Sequence, residues 1–179
     1  MDRDELIARV AKGETFDFLL FWGHRQKAPG HVDASCLSQW FPASFVVDGV
    51  LYRTAEHFMM AGKARLFGDD AILQEILHVE GPDEAKRLGR RVGGFDEAAW
   101  AKARSELVVQ GNVAKFGQNA GMKSFLLSTG AKVLVEASPR DRVWGIGMGA
   151  SNPSARVPAQ WKGLNLLGFA LMEARARLR

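Results

Sequence analysis

The pair Asp48-Gly49, set between Phe45-Val-Val47 and Val50-Leu-Tyr52, constrains this chain more than any other stretch. Both flanking runs are β-branched or aromatic, and two residues alone must reverse the chain. Glycine tolerates the positive φ that so short a turn demands, so a β-hairpin is predicted. A helix start follows at once: Thr54 reads as the N-cap of a run from Ala55-Glu-His57 through Phe67, with Gly68 at the stop.

Downstream signals are mostly helical. A helix is predicted over Ala71 to Leu77, and Gly81-Pro-Asp-Glu84 opens a short one, with proline tolerated in its first turn. Asp96 caps a longer helix through Trp100, Leu107 and Val108 towards Phe116, and Asn119 to Leu127 continues helically to an end near Gly130. Val133-Leu-Val135 reads as a strand, followed by the glycine-rich Trp144-Gly-Ile-Gly-Met-Gly149. Asn165 to Leu178 closes the chain as a helix, with Leu167, Leu171 and Leu178 spaced for burial. A polar loop runs from Gly23 to Ser35. With no repeat and no linker, one α+β domain over residues 1–179 is expected, predominantly helical with a few short strands, rather than repeated βαβ units.

The chain has 179 residues, 47% apolar and 25% charged, which suits a packed interior and argues against disorder. Apolar runs such as Phe16 to Trp22 are too short to cross a bilayer, so no membrane association is expected. Met1-Asp-Arg-Asp-Glu lacks the basic start and apolar stretch of a secretory signal, and one cysteine, Cys36, cannot form an internal disulfide; a cytoplasmic chain is expected. Four histidines without ligand spacing and a single cysteine predict neither zinc nor any other metal, and no cofactor. Basic side chains exceed acidic ones by 24 to 20, a weak preference for anions. The cluster Lys86, Arg87, Arg90 and Arg91, with Arg175, Arg177 and Arg179 at the end, fits a solvated face or a phosphate or nucleic-acid footprint.

Chemistry concentrates on the first predicted helix. Glu56 and Lys63 stand two turns apart and so share a face, roughly 10 Å apart along the axis. Met59 and Met60 make the surface between them apolar, and a carboxylate and an amine beside apolar surface acquire shifted pKa values suited to acid/base or amine-nucleophile work. The same residues also fit a carboxylate on the helix dipole and a lysine reaching to solvent. His57, adjacent to Glu56 but about 100° around the helix, is read as structural. Asp141 follows the predicted strand and leads into Gly145, Gly147 and Gly149, a place where backbone N–H groups can meet a phosphate, or simply a tight loop around a buried Trp144. Five tryptophans against one tyrosine is an unusual ratio. Trp22, Trp40 and Trp144 fall in predicted loops, where stacking on a flat heterocycle is open to them.

The string Thr54-Ala-Glu-His-Phe-Met-Met-Ala-Gly-Lys63-Ala resembles the signature helix of the NADAR, or YbiA-like, family. So do Phe21-Trp-Gly-His24, Ser38-Gln-Trp40, Gly81-Pro-Asp-Glu-Ala-Lys-Arg-Leu-Gly-Arg90, Lys115-Phe116, Asp141-Arg-Val-Trp-Gly-Ile-Gly147 and Gly163-Leu-Asn-Leu-Leu-Gly168. In family order they cover about residues 16 to 178. The resemblance implies an N-glycosidase. One branch cleaves the ribosylamine bond of riboflavin-pathway intermediates, releasing ribose 5-phosphate and an aminopyrimidine; another removes ADP-ribose from guanine in nucleic acid.

By the same resemblance Glu56, Lys63 and Asp141 are the catalytic residues. Trp22, Gly23, His24, Gln39, Trp40, Trp100, Trp144, Gly145, Gly147 and Asn165 are the substrate-binding ones. The implied partner is a small ribose-phosphate or ADP-ribosyl compound, with nucleic acid entering as the carrier of ADP-ribosylated guanine. Gly62 stands where many members carry glutamine, which implies a wider pocket. A module that binds ADP-ribose or nucleotides without turnover is the competing expectation; it needs Trp144 and the glycine loop but neither Glu56 nor Lys63. A purely structural protein comes third.

Overall fold

The computed structural model describes residues 1–28 and 30–179. Pro29, within the predicted loop from Gly23 to Ser35, lies outside the described residues. The elements run α1 (Arg3–Ala11), β1 (Phe18–Phe21), β2 (Phe45–Val47), β3 (Val50–Tyr52), α2 (Ala55–Leu66), α3 (Asp70–His78), α4 (Pro82–Gly89), α5 (Glu97–Gly117), α6 (Ala120–Ser128), β4 (Val133–Glu136) and α7 (Leu166–Arg177). The helical α+β class read from the sequence is the one observed.

The hairpin forms as its turn residues require. Asp48 and Gly49 have φ of 50° and 77°, and Phe45 pairs with Tyr52, Val46 with Leu51 and Val47 with Val50. Caps define the helix starts. Thr54 Oγ1 accepts from His57 N–H at 3.4 Å, Asp96 Oδ1 from Ala99 N–H at 2.6 Å, and Asp69 Oδ1 from Ile72 N–H at 3.1 Å; each such cap is worth ~1 kcal/mol.

Two elements go beyond the sequence expectation. Helix α1 buries only Leu6, so its apolar periodicity is faint. Strand β1 pairs in parallel with β4, Phe18 opposite Val133 and Phe21 opposite Glu136. Its four residues form an unbroken apolar run, without the alternation that marks a half-exposed strand.

Helix α2 is the hub, packed on α3, α4 and α5, and α7 covers β4 and α5. Its Ala55, Phe58, Met59 and Ala61 join Val108 and Phe116 of α5, Ile76 of α3 and Leu88 of α4 in the main core. A second apolar cluster behind β4 collects Val133, Val135, Leu6, Trp161 and Phe169. Lys115 is fully buried in the main core, its Nζ donating to the carbonyls of Cys36 at 2.7 Å and Ser38 at 2.8 Å. Burial lowers it to about 7.

Candidate active site

Glu56 enters at the second position of α2, where the N-cap turns the chain inward. Its N–H donates to the Gln39 carbonyl at 3.0 Å, which fixes this end of the helix against the segment before the hairpin. The side chain is 2% exposed, and Oε1 has no hydrogen-bond partner among the described residues. Burial raises the carboxyl to about 7; Lys86, the Trp40 indole and Arg90 pull it down, while Asp141 adds to the rise. A buried carboxylic acid with nearby cations is thereby poised to hold a proton at neutral pH.

Two turns along, Lys63 Nζ donates to the Gly89 carbonyl at 2.8 Å and lies 4.1 Å from the Phe95 ring centroid and 5.9 Å from that of Trp100. Burial lowers its pKa, and the carboxylate that opposes this is Glu97, not Glu56. Glu56 and Lys63 open onto one cavity of about 300 Å3, floored by Met59 and Met60 and walled by Trp100 and Trp144. A Cβ at Gly89 would run into the Met60 side chain, so the glycine lets α4 lie close to α2, where its carbonyl meets Lys63, without displacing Met60.

Asp141 sits in the loop after β4. Its Oδ1 accepts from Val143 N–H at 2.9 Å and Trp144 N–H at 2.7 Å, an Asx turn that carries the loop over the cleft. Asp141 borders both the first cavity and a second of about 670 Å3 that holds Trp22, Gly23, His24 and Trp40, with Lys86, Arg90 and Val143 shared between the two. Trp22 is 66% exposed; Trp40 is half-buried, with His24 at 5.7 Å and the Lys86 ammonium 5.7 Å from its ring centroid. The cleft is thus two lobes meeting at Asp141. A third cavity, of about 470 Å3 between the N-terminus, α5 and α7, contains none of these groups.

Some expected residues are not brought to the cleft. Gln39 is buried behind the wall, Nε2 donating to Asn112 Oδ1 at 3.2 Å. Asn165, fully buried and left-handed at φ 56°, uses its amide as a stand-in strand along β4: Oδ1 accepts from Glu136 N–H and Nδ2 donates to Leu134 O, each at 2.9 Å. Gly145 and Gly147 are buried, and two of the loop's donors turn inward, Ile146 N–H to Glu136 O and Gly147 N–H to Asp141 O, both at 2.9 Å. Neither glycine lines the two lobes. A Cβ at Gly62 would meet Leu107 of α5 at 2.5 Å, so this glycine faces a helix contact and does not widen the pocket. His57 is buried away from the cleft, Nδ1 2.8 Å from Thr54 Oγ1 and Nε2 3.2 Å from the Val79 carbonyl.

Others come to the cleft unannounced. Lys86 and Arg90, one turn apart, line both lobes, whereas Arg87 and Arg91 of the same cluster meet Glu84 and Glu75 on the surface. The helical spacing of four was the available signal. Arg104 reaches the first lobe with its Nε buried and unpartnered among the described residues. Glu136 lines the second lobe, its carboxyl raised by burial to about 8. No cluster of three or more His, Cys, Asp or Glu among the described residues is arranged to hold a metal ion, and no helix there is long and apolar enough to cross a membrane.

Comparison with known proteins adds an independent line. The NADAR domain family model matches residues 20–179. The chain is 40% identical over 168 residues to an N-glycosidase of Acanthamoeba polyphaga mimivirus, covering 90% of this chain and 96% of that protein. It is 33% identical over 132 residues to the N-glycosidase YbiA of Escherichia coli, covering 74% of each. The NMR structure of the E. coli protein YbiA has the same fold, with a TM-score of 0.70 at 28% identity over 92% of this chain and 87% of that one.

Proposed function

The chain belongs to the NADAR domain family, and from that premise we propose that it is an N-glycosidase hydrolysing ribosylamine phosphates of the riboflavin pathway. The observation that carries this reading is the buried Glu56 carboxyl, held near neutrality with an unpartnered oxygen, on one cavity with the amine of Lys63.

Breaking an N-glycosidic bond leaves positive charge on the anomeric carbon and electrons on the departing nitrogen. Glu56 gives its proton to that nitrogen, a contribution of ~10²–10⁴-fold for general acid catalysis. Asp141, anchored through Oδ1, stabilises the cationic carbon. Lys63 supplies the nucleophile. Its neutral amine bonds to the anomeric carbon as the base leaves; the ring opens to a protonated imine, and water then returns the amine and the free sugar aldehyde. Burial favours the neutral amine that this step needs. Lys86, Arg90 and Arg104 supply positive charge for the sugar phosphate.

A second reading, removal of ADP-ribose from guanine in nucleic acid, draws support from the larger lobe. Its exposed Trp22, with Arg140 and Arg142 in the same wall, exceeds what a ribose phosphate needs. Offering the purified protein riboflavin-pathway ribosylamine phosphates and ADP-ribosylated guanosine side by side, with released base and sugar measured, separates the two. Release from the first is expected; release from neither overturns the enzyme reading.

A further inference from the structure

Hydrolysis by Glu56, Lys63 and Asp141 makes no use of Glu136. Strand alternation sends Val133 and Val135 into the rear apolar cluster and turns Leu134 and Glu136 the other way, towards the main core and the cleft. The backbone of Glu136 is held on both sides, its N–H by Asn165 Oδ1 and its carbonyl by Ile146 N–H, each at 2.9 Å. The carboxyl is therefore aimed by a rigid element. Among the described residues it takes no hydrogen bond, and Oε2 is buried without a partner.

Glu136 pairs with Phe21 in the parallel ladder, so Trp22 leaves β1 at the level where Glu136 ends β4. An acid and an aromatic wall thus emerge together at the carboxyl edge of a parallel pair, where such folds place ligands. Trp40 and His24 complete that wall.

We propose that Glu136 reads the leaving heterocycle: its two carboxyl oxygens receive a ring N–H and the adjacent exocyclic amine of an aminopyrimidinone edge, the ring lying against Trp40. The assignment rests on the N-glycosidase reading, because it treats the second lobe as the leaving-group side. A carboxylate accepting two parallel N–H bonds gains from both, and a buried acceptor left unpaired is penalised. A ring without the amine leaves one oxygen in that state, which is how sites built on hydrogen bonds reject close analogues. Aminopyrimidinones and guanine share this edge, so one residue serves both candidate substrates. Before a ring binds, burial and Asp141 favour the protonated acid, with Glu56 adding and Lys86 opposing. The two donors reverse that balance, and the proton leaves to solvent as the ring binds.

The test is calorimetric titration of the wild-type protein with isocytosine, which carries the edge, and with the same pyrimidinone ring lacking the amine. Neither base is a glycoside, so binding is read apart from turnover. Isocytosine is expected to bind at least about tenfold tighter. Glu136→Gln, which sets an amide NH2 against the amine, is expected to bind the two alike. Equal wild-type affinities, or binding of neither at millimolar concentration, overturn the role of Glu136 while leaving glycosidase activity to stand on its own assay. A tenfold preference in a protein that hydrolyses no glycoside retains the heterocycle site and overturns only the hydrolase. The wild-type comparison holds even if the variant fails to fold.

Discussion

Lys63 Nζ donates a 2.8 Å hydrogen bond to the carbonyl of Gly89, binding α2 to α4 beside the cleft. The missing Cβ of Gly89 leaves room for this approach, because a methyl group there would collide with the Met60 side chain unless that side chain moved. Gly89→Ala should cost ~1–3 kcal/mol through overpacking, more than the ~1 kcal/mol that alanine recovers in helix propensity. Glycoside turnover should fall with it as Lys63 loses its acceptor. Urea unfolding beside a turnover assay checks both; a fully stable, fully active variant would contradict the packing argument.

The pH dependence follows from Glu56. As general acid Glu56 must be protonated, so it gives kcat a limb that declines above about pH 7, while the neutral amine required of Lys63 gives an opposing limb that rises with pH. Lys86 and Arg90 from α4, with the Trp40 indole, lower that value, and Asp141 raises it; Lys86 is the largest of the opposing influences. Lys86→Met should therefore move the alkaline limb of kcat upward in pH. An unmoved limb would show that Glu56 is not the group titrating.

The same shift predicts a stability trade-off. Glu56 keeps its proton up to about pH 7 when folded but gives it up near pH 4.5 when unfolded. Between those values the folded state binds the extra proton, so Glu56 makes the fold less stable as pH rises through the window. Glu56→Gln should match the wild type below pH 4.5 and exceed it at pH 8, by on the order of 1–3 kcal/mol. Chemical denaturation at the two pH values decides it; a variant equally destabilised at both would refute the linkage.

The covalent route has its own signature. Borohydride added during turnover should reduce the imine and leave the opened sugar phosphate on Lys63, seen as added mass on the peptide carrying it. Lys63→Ala should show none. Vigorous hydrolysis without any trapped adduct would leave direct attack by water as the route.

Local chemistry made much of this protein legible in its sequence. The Asp48-Gly49 turn and the caps at Thr54 and Asp96 are decided within a few residues, and the structure has them where the sequence puts them. Glu56 and Lys63 were legible as a pair because helical spacing alone puts them on one face. Partners brought from a distance were not. Glu136 lies at the end of a short strand whose mate is β1, and Lys86 is separated from Arg87 only by which face of α4 turns inward. The glycine run after Asp141 left two readings open because glycine serves close packing as readily as phosphate contact. At Gly145 a Cβ would sit 2.8 Å from the Glu136 carbonyl, and nothing local announces that neighbour.

The central claim is that this cleft cleaves an N-glycosidic bond with Glu56 as its acid. Its most direct test is single-turnover release of base and ribose 5-phosphate from a ribosylamine phosphate by the wild type and by Glu56→Gln. Equal amounts of base and sugar phosphate from the wild type are predicted, with the rate in the variant lower by ~10²–10⁴-fold and substrate affinity retained. No release by the wild type, or an undiminished rate in Glu56→Gln, would contradict it.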